Sequence, residues 1–142
     1  MSEQTLILIR GLPGSGKSSL AELFDGPCFA ADDYFMVGGT YRFDAAQLGR
    51  AHKQCQANVV EALAVGQPIT IVANTFSMRR ELKPYLSMAE EFGARVHVID
   101  LFDAGLSDAQ LAERGVHDVP VETIARFRAR WHHSLQKGGG DA

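Results

Sequence analysis

Residues 5–18 read Thr-Leu-Ile-Leu-Ile-Arg-Gly-Leu-Pro-Gly-Ser-Gly-Lys-Ser, and the fold follows from how this stretch divides. Thr5 to Arg10 is a β-branched and leucine run ended by glycine, which predicts a strand buried on both faces of a parallel sheet. Gly11 to Ser18 fits G-x-x-x-x-G-K-[ST] at every fixed position. The glycines let the backbone wrap a phosphate with no Cβ in the way, so successive amides point inward at the anion. Lys17 to Phe24 then predicts a short helix, whose opening adds its partial positive charge. A glycine turn fitting this pattern by accident is the competing reading. At average residue usage such a coincidence has a chance below roughly 1%. Gly11, Leu12, Pro13, Gly14, Ser15, Gly16, Lys17, Ser18 and Ser19 are therefore the expected ATP-binding residues. Lys17 is expected at the β and γ phosphates, and the Ser18 hydroxyl on Mg²⁺.

Outward from this stretch the chain alternates. Asp25-Gly26-Pro27 is a breaker, and Cys28 to Ala31 predicts a second short strand leading into Asp32-Asp33. Residues 34–43, with Gly38-Gly39 and several aromatics, read as a loop. Apolar residues recur at spacings of three and four from Asp44 to Val65, with Gly66 and Pro68 just beyond, which predicts a helix. Ile69 to Ala73 predicts the third strand and Arg95 to Phe102 the fourth. Between them a helix is expected over Met78 to Phe92, with Pro84 forcing a kink or a late start. Two further helices are expected at Ser107 to Arg114 and Val121 to Gln136.

This order predicts an α/β single-domain P-loop NTPase, its parallel sheet sandwiched between helices. Right-handed crossovers put ligands at the carboxyl ends of the strands. One domain is expected over 1–137, with a flexible tail at 138–142. The 142 residues, 46% hydrophobic and 22% charged, suffice for one core and exclude barrels and multidomain motors. A net charge of −3 argues against a protein held on nucleic acid by bulk charge, though a local basic groove is compatible with it. Cys28 and Cys55 make no disulfide framework. No segment approaches the roughly 20 apolar residues of a membrane span, so no membrane partner is expected. The default expectation is a reduced, cytoplasmic domain.

Asp32 and Asp33 follow a predicted strand and so should lie near the phosphate loop. A carboxylate there can accept a proton from an attacking hydroxyl or hold magnesium. Asp32 is the expected base and Asp33, with Ser18, the expected metal ligand; a helix cap or solvated turn is the other reading of the pair. Gly115 and Pro120 flank His117-Asp118, which suits a hinged lid with Arg114 at its edge as the cation on the transferring group. Arg126, Arg128 and Arg130 read as a solvated helix face.

Arg10 to Ser18, Ala31-Asp32-Asp33-Tyr34-Phe35 and Tyr41-Arg42-Phe43-Asp44 together resemble the polynucleotide-kinase-like P-loop kinases. The likeness continues through Leu48 to His52, Ala73-Asn74-Thr75, Lys83-Pro84-Tyr85 and Glu113 to Pro120. In the phage-type 5′-hydroxyl polynucleotide kinase the first aspartate of the pair is the general base, matching Asp32, and a lid arginine on the phosphates matches Arg114. Four positions depart from the pattern: Phe35 stands where an arginine holds the acceptor-end phosphate, Ala73 and Phe76 where Asp-Asn-Thr-Asn begins and ends, and Gly115 where asparagine follows the lid arginine. Phe35 and Phe76 in place of polar groups suggest a pocket that stacks a base, with Tyr34. Related small phage kinases act on 5-hydroxymethyluracil in DNA; a phage-encoded chain would work in the host cytoplasm.

The resemblance implies an ATP- and Mg²⁺-dependent kinase acting on a primary hydroxyl of nucleic acid. The acceptor is either 5-hydroxymethyluracil in DNA or a polynucleotide 5′-hydroxyl. A metabolite or antibiotic kinase, and a non-catalytic ATP-binding module, are the rival readings. No Asn-Lys-x-Asp guanine motif occurs.

Overall fold

The computed structural model describes residues 3–115 and 117–135. The expected tail at 138–142 lies outside the described residues. Strand β1 (Thr5–Gly11) is the centre of a four-stranded sheet with β2 (Cys28–Phe29), β5 (Ile69–Asn74) and β6 (Arg95–Phe102), in the order β2-β5-β1-β6. All three pairings are parallel. Between β2 and β5 lie a small hairpin, β3 (Met36–Val37) and β4 (Thr40–Tyr41), and the helix α2 (Leu48–Ala64). Helix α1 (Lys17–Ala21) follows β1, α3 (Arg79–Phe92) joins β5 to β6, and α4 (Asp108–Arg114) and α5 (Val121–Ala129) follow β6.

The alternation of β1 divides the core. Leu6 and Leu8 point to one face, where they pack with Val72, Cys55, Val59 and Leu63 of α2, and Leu82, Tyr85 and Met88 of α3. Ile7 and Ile9 point to the other, against Ile71, Ala73 and Ala21 of α1. A strand apolar on both faces needs cover on both, which is why it reads as an unbroken apolar run. A third cluster joins Leu12 to Leu111, Ile124 and Trp131, and so packs α4 and α5 against the glycine loop.

The expected fold is the observed one, with local differences: α1, expected to reach Phe24, ends at Ala21. The second strand stops at Phe29, because the next two amides leave the ladder: Ala30 N donates to the Asp33 carboxylate and Ala31 N to Asn74 Oδ1. Residues 34–43, expected as loop, contain the β3–β4 hairpin, whose turn residues Gly38 and Gly39 have φ of 57° and 81°. Two successive positive φ values suit the tight turn whose twist matches its strands. Asp44 caps a short 3₁₀ turn (Ala45–Gln47) through Ala46 N, so α2 begins at Leu48. The last helix ends at Ala129 and not at Gln136, because the chain turns back there: His132 N donates to Ser77 O, and Trp131 tucks beside Leu12. Helix α3 runs unbroken through Pro84.

Candidate active site

Both ends of the glycine loop are tied into the fold. Leu12, fully buried, anchors it by its side chain in the third cluster, while its N–H donates to Phe102 O. Its expected place among the ATP-binding residues is thus that of an apolar anchor. Ser15 N donates back to Leu12 O, which closes the turn. By contrast, no carbonyl among the described residues takes the amides of Gly14, Gly16, Lys17, Ser18 or Ser19. Gly14 has φ of +85°, and a Cβ there would be driven into the Leu111 carbonyl oxygen. Glycine is required at this point both by conformation and by the close approach of α4. The Ser15 hydroxyl is buried with no protein partner. A cradle lined by free amides and an orphaned hydroxyl fits an oxyanion ligand, so these residues suit the phosphates of a nucleotide.

Lys17 folds its ammonium back onto Gly11 O (2.8 Å) and Leu12 O (3.2 Å). Burial pushes its pKa down to about 8, against the opposing attraction of the Asp32 carboxylate. Lys17 and Asp32 are therefore close enough to feel one another, as the sequence led us to expect.

The two aspartates take different places. Both lie on a 3₁₀ turn (Ala31–Phe35) at the carboxyl edge of the sheet, pinned to β5 by the bond from Ala31 N to Asn74 Oδ1 at 2.8 Å. Asp33 is engaged in local capping, accepting from Ala30 N at 3.1 Å. Asp32 is half exposed, and its Oδ1 accepts a 3.0 Å hydrogen bond from Tyr41 of the hairpin. Burial and the facing carboxylate raise the Tyr41 pKa, so the phenol stays a donor. The His117 ring stacks on Tyr41, with centroids 3.9 Å apart and planes 16° apart, and its Nε2 lies 4.0 Å from Asp32 Oδ2. Tyr41 and His117 hold Asp32 from two sides. Neither was singled out for this role from the sequence, although both lie in stretches that carry the family resemblance.

Arg114 is exposed on the last turn of α4, one turn beyond the Leu111 that abuts Gly14. The guanidinium makes no hydrogen bond within the described part of the fold. Of the three other arginines read as a solvated face, Arg128 instead bridges Asp103 and Asp108, each at 2.7 Å. Arg130 donates to Ser77 Oγ. Among the described residues no group of three or more His, Cys, Asp or Glu side chains could hold a metal ion. No described helix is long and apolar enough to cross a membrane.

Of the three residues named for a base-stacking pocket, Tyr34 is exposed but Phe35 and Phe76 are not. Phe35 is 2% exposed, packed in its own small core with Ala31, Ala51 and Tyr41. Phe76 is 3% exposed, edge-on to Tyr85 in the main core. Both rings are core residues.

Parallel strands in this order, the glycine cradle and the carboxylate opposite its lysine define a P-loop domain of kinase-like architecture. The AAA domain family AAA_33 matches residues 6–133, and the chain belongs to that family. Human NEDD4-binding protein 2 is 36% identical over 132 residues, 86% of this chain but 7% of that protein. Mouse 2′,3′-cyclic-nucleotide 3′-phosphodiesterase is 26% identical over 132 residues, 88% of this chain and 30% of that one. The chain thus spans a small part of either curated relative. Among solved structures, the Pnkp1/Rnl/Hen1 RNA repair complex contains a chain that aligns with a TM-score of 0.68 at 21% identity, covering 92% of this chain and 44% of that one. A gluconokinase from Sinorhizobium meliloti aligns with a TM-score of 0.58 at 18% identity, covering 93% and 77%.

Proposed function

We propose that this domain is an ATP-dependent kinase that phosphorylates a primary hydroxyl of a nucleic acid. The observation that carries the reading is Asp32: half exposed, fixed at one oxygen by Tyr41, within electrostatic reach of Lys17, while its neighbour Asp33 is occupied in a cap. Asp32 Oδ2, which has His117 Nε2 at 4.0 Å but no hydrogen bond among the described residues, is the oxygen that would take the proton of the acceptor hydroxyl. As that proton leaves, the acceptor oxygen bonds to the γ-phosphorus and the bond to the β–γ bridging oxygen breaks, releasing ADP. Lys17 and the loop amides hold the phosphates, and Arg114 is the cation that would reach them from α4. Ser18, with Asp33 as a second candidate, would hold Mg²⁺, which when bound supplies charge neutralisation on the phosphates.

A nucleic-acid acceptor is supported by the names of two relatives, a component of an RNA repair complex and a cyclic-nucleotide phosphodiesterase. The burial of Phe35 and Phe76 removes the ground for an extruded modified base, so a terminal 5′-hydroxyl is the better-supported acceptor. A small-molecule acceptor is favoured by the gluconokinase likeness and the net charge of −3. The test is γ-labelled ATP with two oligonucleotides, one with a free 5′-hydroxyl and one with blocked ends and internal 5-hydroxymethyluracil. Label is expected on the first. Label on neither, with transfer to a metabolite, would overturn the nucleic-acid reading. Lys17→Ala should abolish transfer. Asp32→Asn should lower kcat by orders of magnitude with ATP affinity intact, and normal turnover of that variant removes Asp32 from its role.

A further inference from the structure

The hairpin side of Asp32 has a surface that nothing above uses. Five of the eleven large hydrophobic residues exposed among the described residues fall between 34 and 48: Tyr34, Met36, Val37, Phe43 and Leu48. Phe43, 54% exposed, and Tyr34, 37% exposed, flank the buried Phe35 ring at centroid distances of 5.0 and 5.5 Å. Tyr34 Oη reaches Gln47 Oε1 at 3.5 Å, and Arg50 donates to the same oxygen at 3.4 Å. Arg42 sits between Tyr41 and Phe43, its N–H bonded to Phe35 O.

Charge follows the same segment. Residues 34–53 contain Arg42, Arg50 and Lys53 but one carboxylate, Asp44, which is engaged as a cap. Their net charge is +2 in a chain whose total is −3. Neither Arg42 nor Arg50 is paired with a carboxylate among the described residues. The surface is also continuous with the candidate base, because Tyr41, which holds Asp32, is paired with Met36 in the hairpin.

Exposed aromatic faces rimmed by unpaired arginines are the two components that bind single-stranded nucleic acid: bases stack and phosphates are neutralised. From this juxtaposition we infer that the 34–50 surface is the platform for the acceptor strand. Bases next to the reacting end stack on Phe43 and Tyr34, and the following phosphates meet Arg42 and Arg50. The inference rests on the kinase reading above and specifies which surface presents the strand to Asp32. Stacking on Phe43 replaces the pocket that Phe35 and Phe76 cannot form.

The experiment measures fluorescence anisotropy of a 3′-labelled single-stranded decamer with a free 5′-hydroxyl, on the full chain. Phe43→Ala is expected to weaken binding between about fivefold and a hundredfold, the effect of losing one base–aromatic stack. Phe43→Trp should restore it. An abasic 5′-terminal pair should weaken wild-type binding by a larger factor than it weakens Phe43→Ala, which keeps only the Tyr34 stack, a coupling that misfolding would not produce. Arg42→Gln with Arg50→Gln should lower the slope of log K against log salt by about 1.4, the value for two lost contacts on a single strand. The KM for ATP should stay unchanged in all of them. If Phe43→Ala binds the decamer as wild type does, the platform is overturned while the kinase reading stands. If the wild type neither binds nor phosphorylates any oligonucleotide yet phosphorylates a metabolite, both fall. If Phe43→Ala instead converts a dimer to a monomer with decamer binding unchanged, the surface joins two copies of the chain and the inference is overturned.

Discussion

Arg10 is the last charged residue before the glycine loop and is fully buried, so its replacement tests what holds the loop's first anchor. Guanidinium has five N–H donors, and here all five are used. Nε and Nη2 donate to Phe76 O at 3.0 and 2.7 Å, and Nη2 also to Ser77 O at 3.3 Å. Nη1 donates to Asp100 Oδ2 and to His132 O, both at 2.9 Å. The plane lies 4.0 Å over the Trp131 ring. Burial lowers the Arg10 pKa, and Asp100 opposes the shift. Substitution by methionine keeps much of the volume but strips two backbone carbonyls, Phe76 O and His132 O, of their donor, while Ser77 O keeps the His132 amide. Each carbonyl left buried and unsatisfied costs about 1–3 kcal/mol, while relief from guanidinium desolvation offsets part of the sum. Asp100, about a third exposed, can rehydrate. The expected loss for Arg10→Met is about 3–5 kcal/mol, as for other buried charges removed from one side only. Asp100→Asn should cost about 2–3 kcal/mol, because the fully buried guanidinium loses its carboxylate partner although its other four bonds remain. Urea unfolding reads this directly, followed by far-UV circular dichroism and by the fluorescence of Trp131, the single tryptophan. Arg10→Met within 1 kcal/mol of wild type would refute the reasoning, since it would mean that the carbonyls find water or one another at little cost.

Gly14→Ala should lose ATP binding measured by calorimetry and cost roughly 1–3 kcal/mol, because φ of +85° and the Leu111 carbonyl leave no place for a methyl group; wild-type affinity would contradict this. For Lys17, burial holds the folded-state pKa at about 8 against 10.5, so the folded protein releases the proton first. Between these values the unfolded chain binds more protons, and stability should rise by about 1 kcal/mol from pH 7 to pH 9. Lys17→Met should lack that rise, and equal slopes in the two proteins would sink the claim. Phe35→Ala should cost about 3–5 kcal/mol as a core truncation, whereas a loss below 1 kcal/mol would mean the ring is at the surface after all.

The elements legible in the sequence were those written in periodicity. β1 and β5 are apolar runs between breakers, β6 carries Val96, Val98 and Leu101, and the loop is a spacing of glycines, lysine and serine. What composition could not convey was where backbone amides leave a regular ladder. The second strand looked longer than two residues because Ala30 and Ala31 are apolar, yet their amides go to Asp33 and Asn74. The last helix looked longer because Arg130 to Gln136 has no breaker; a distant carbonyl, Ser77 O, takes the His132 amide. Phe35 and Phe76 were misread for a related reason. An aromatic at a position where relatives carry polar groups can mean a new ligand surface or a new core contact, and only packing decides. A signal for the Arg10 hub was present: an arginine closing an otherwise apolar strand needs partners wherever that strand ends.

The two halves of the candidate site are held in different ways, and this bears on what each can change. The donor half is fixed by the buried Arg10 before the loop, the buried Leu12 within it, and the contact of Gly14 with α4. Any of these changes is felt in the main core. The acceptor half rests on a two-residue strand, a 3₁₀ turn and a two-residue hairpin, linked to β5 by the short β2–β5 ladder and by the bond from Ala31 N to Asn74 Oδ1. Its outer residues, Tyr34, Arg42 and Phe43, are exposed, so substitutions there alter surface and charge without opening a cavity. If the 34–50 surface presents the acceptor, as proposed, its exposed residues can change the acceptor without disturbing the phosphate cradle. It follows that exchanging this segment should redirect acceptor choice while leaving the KM for ATP in place, whereas no change confined to residues 10–18 should do so.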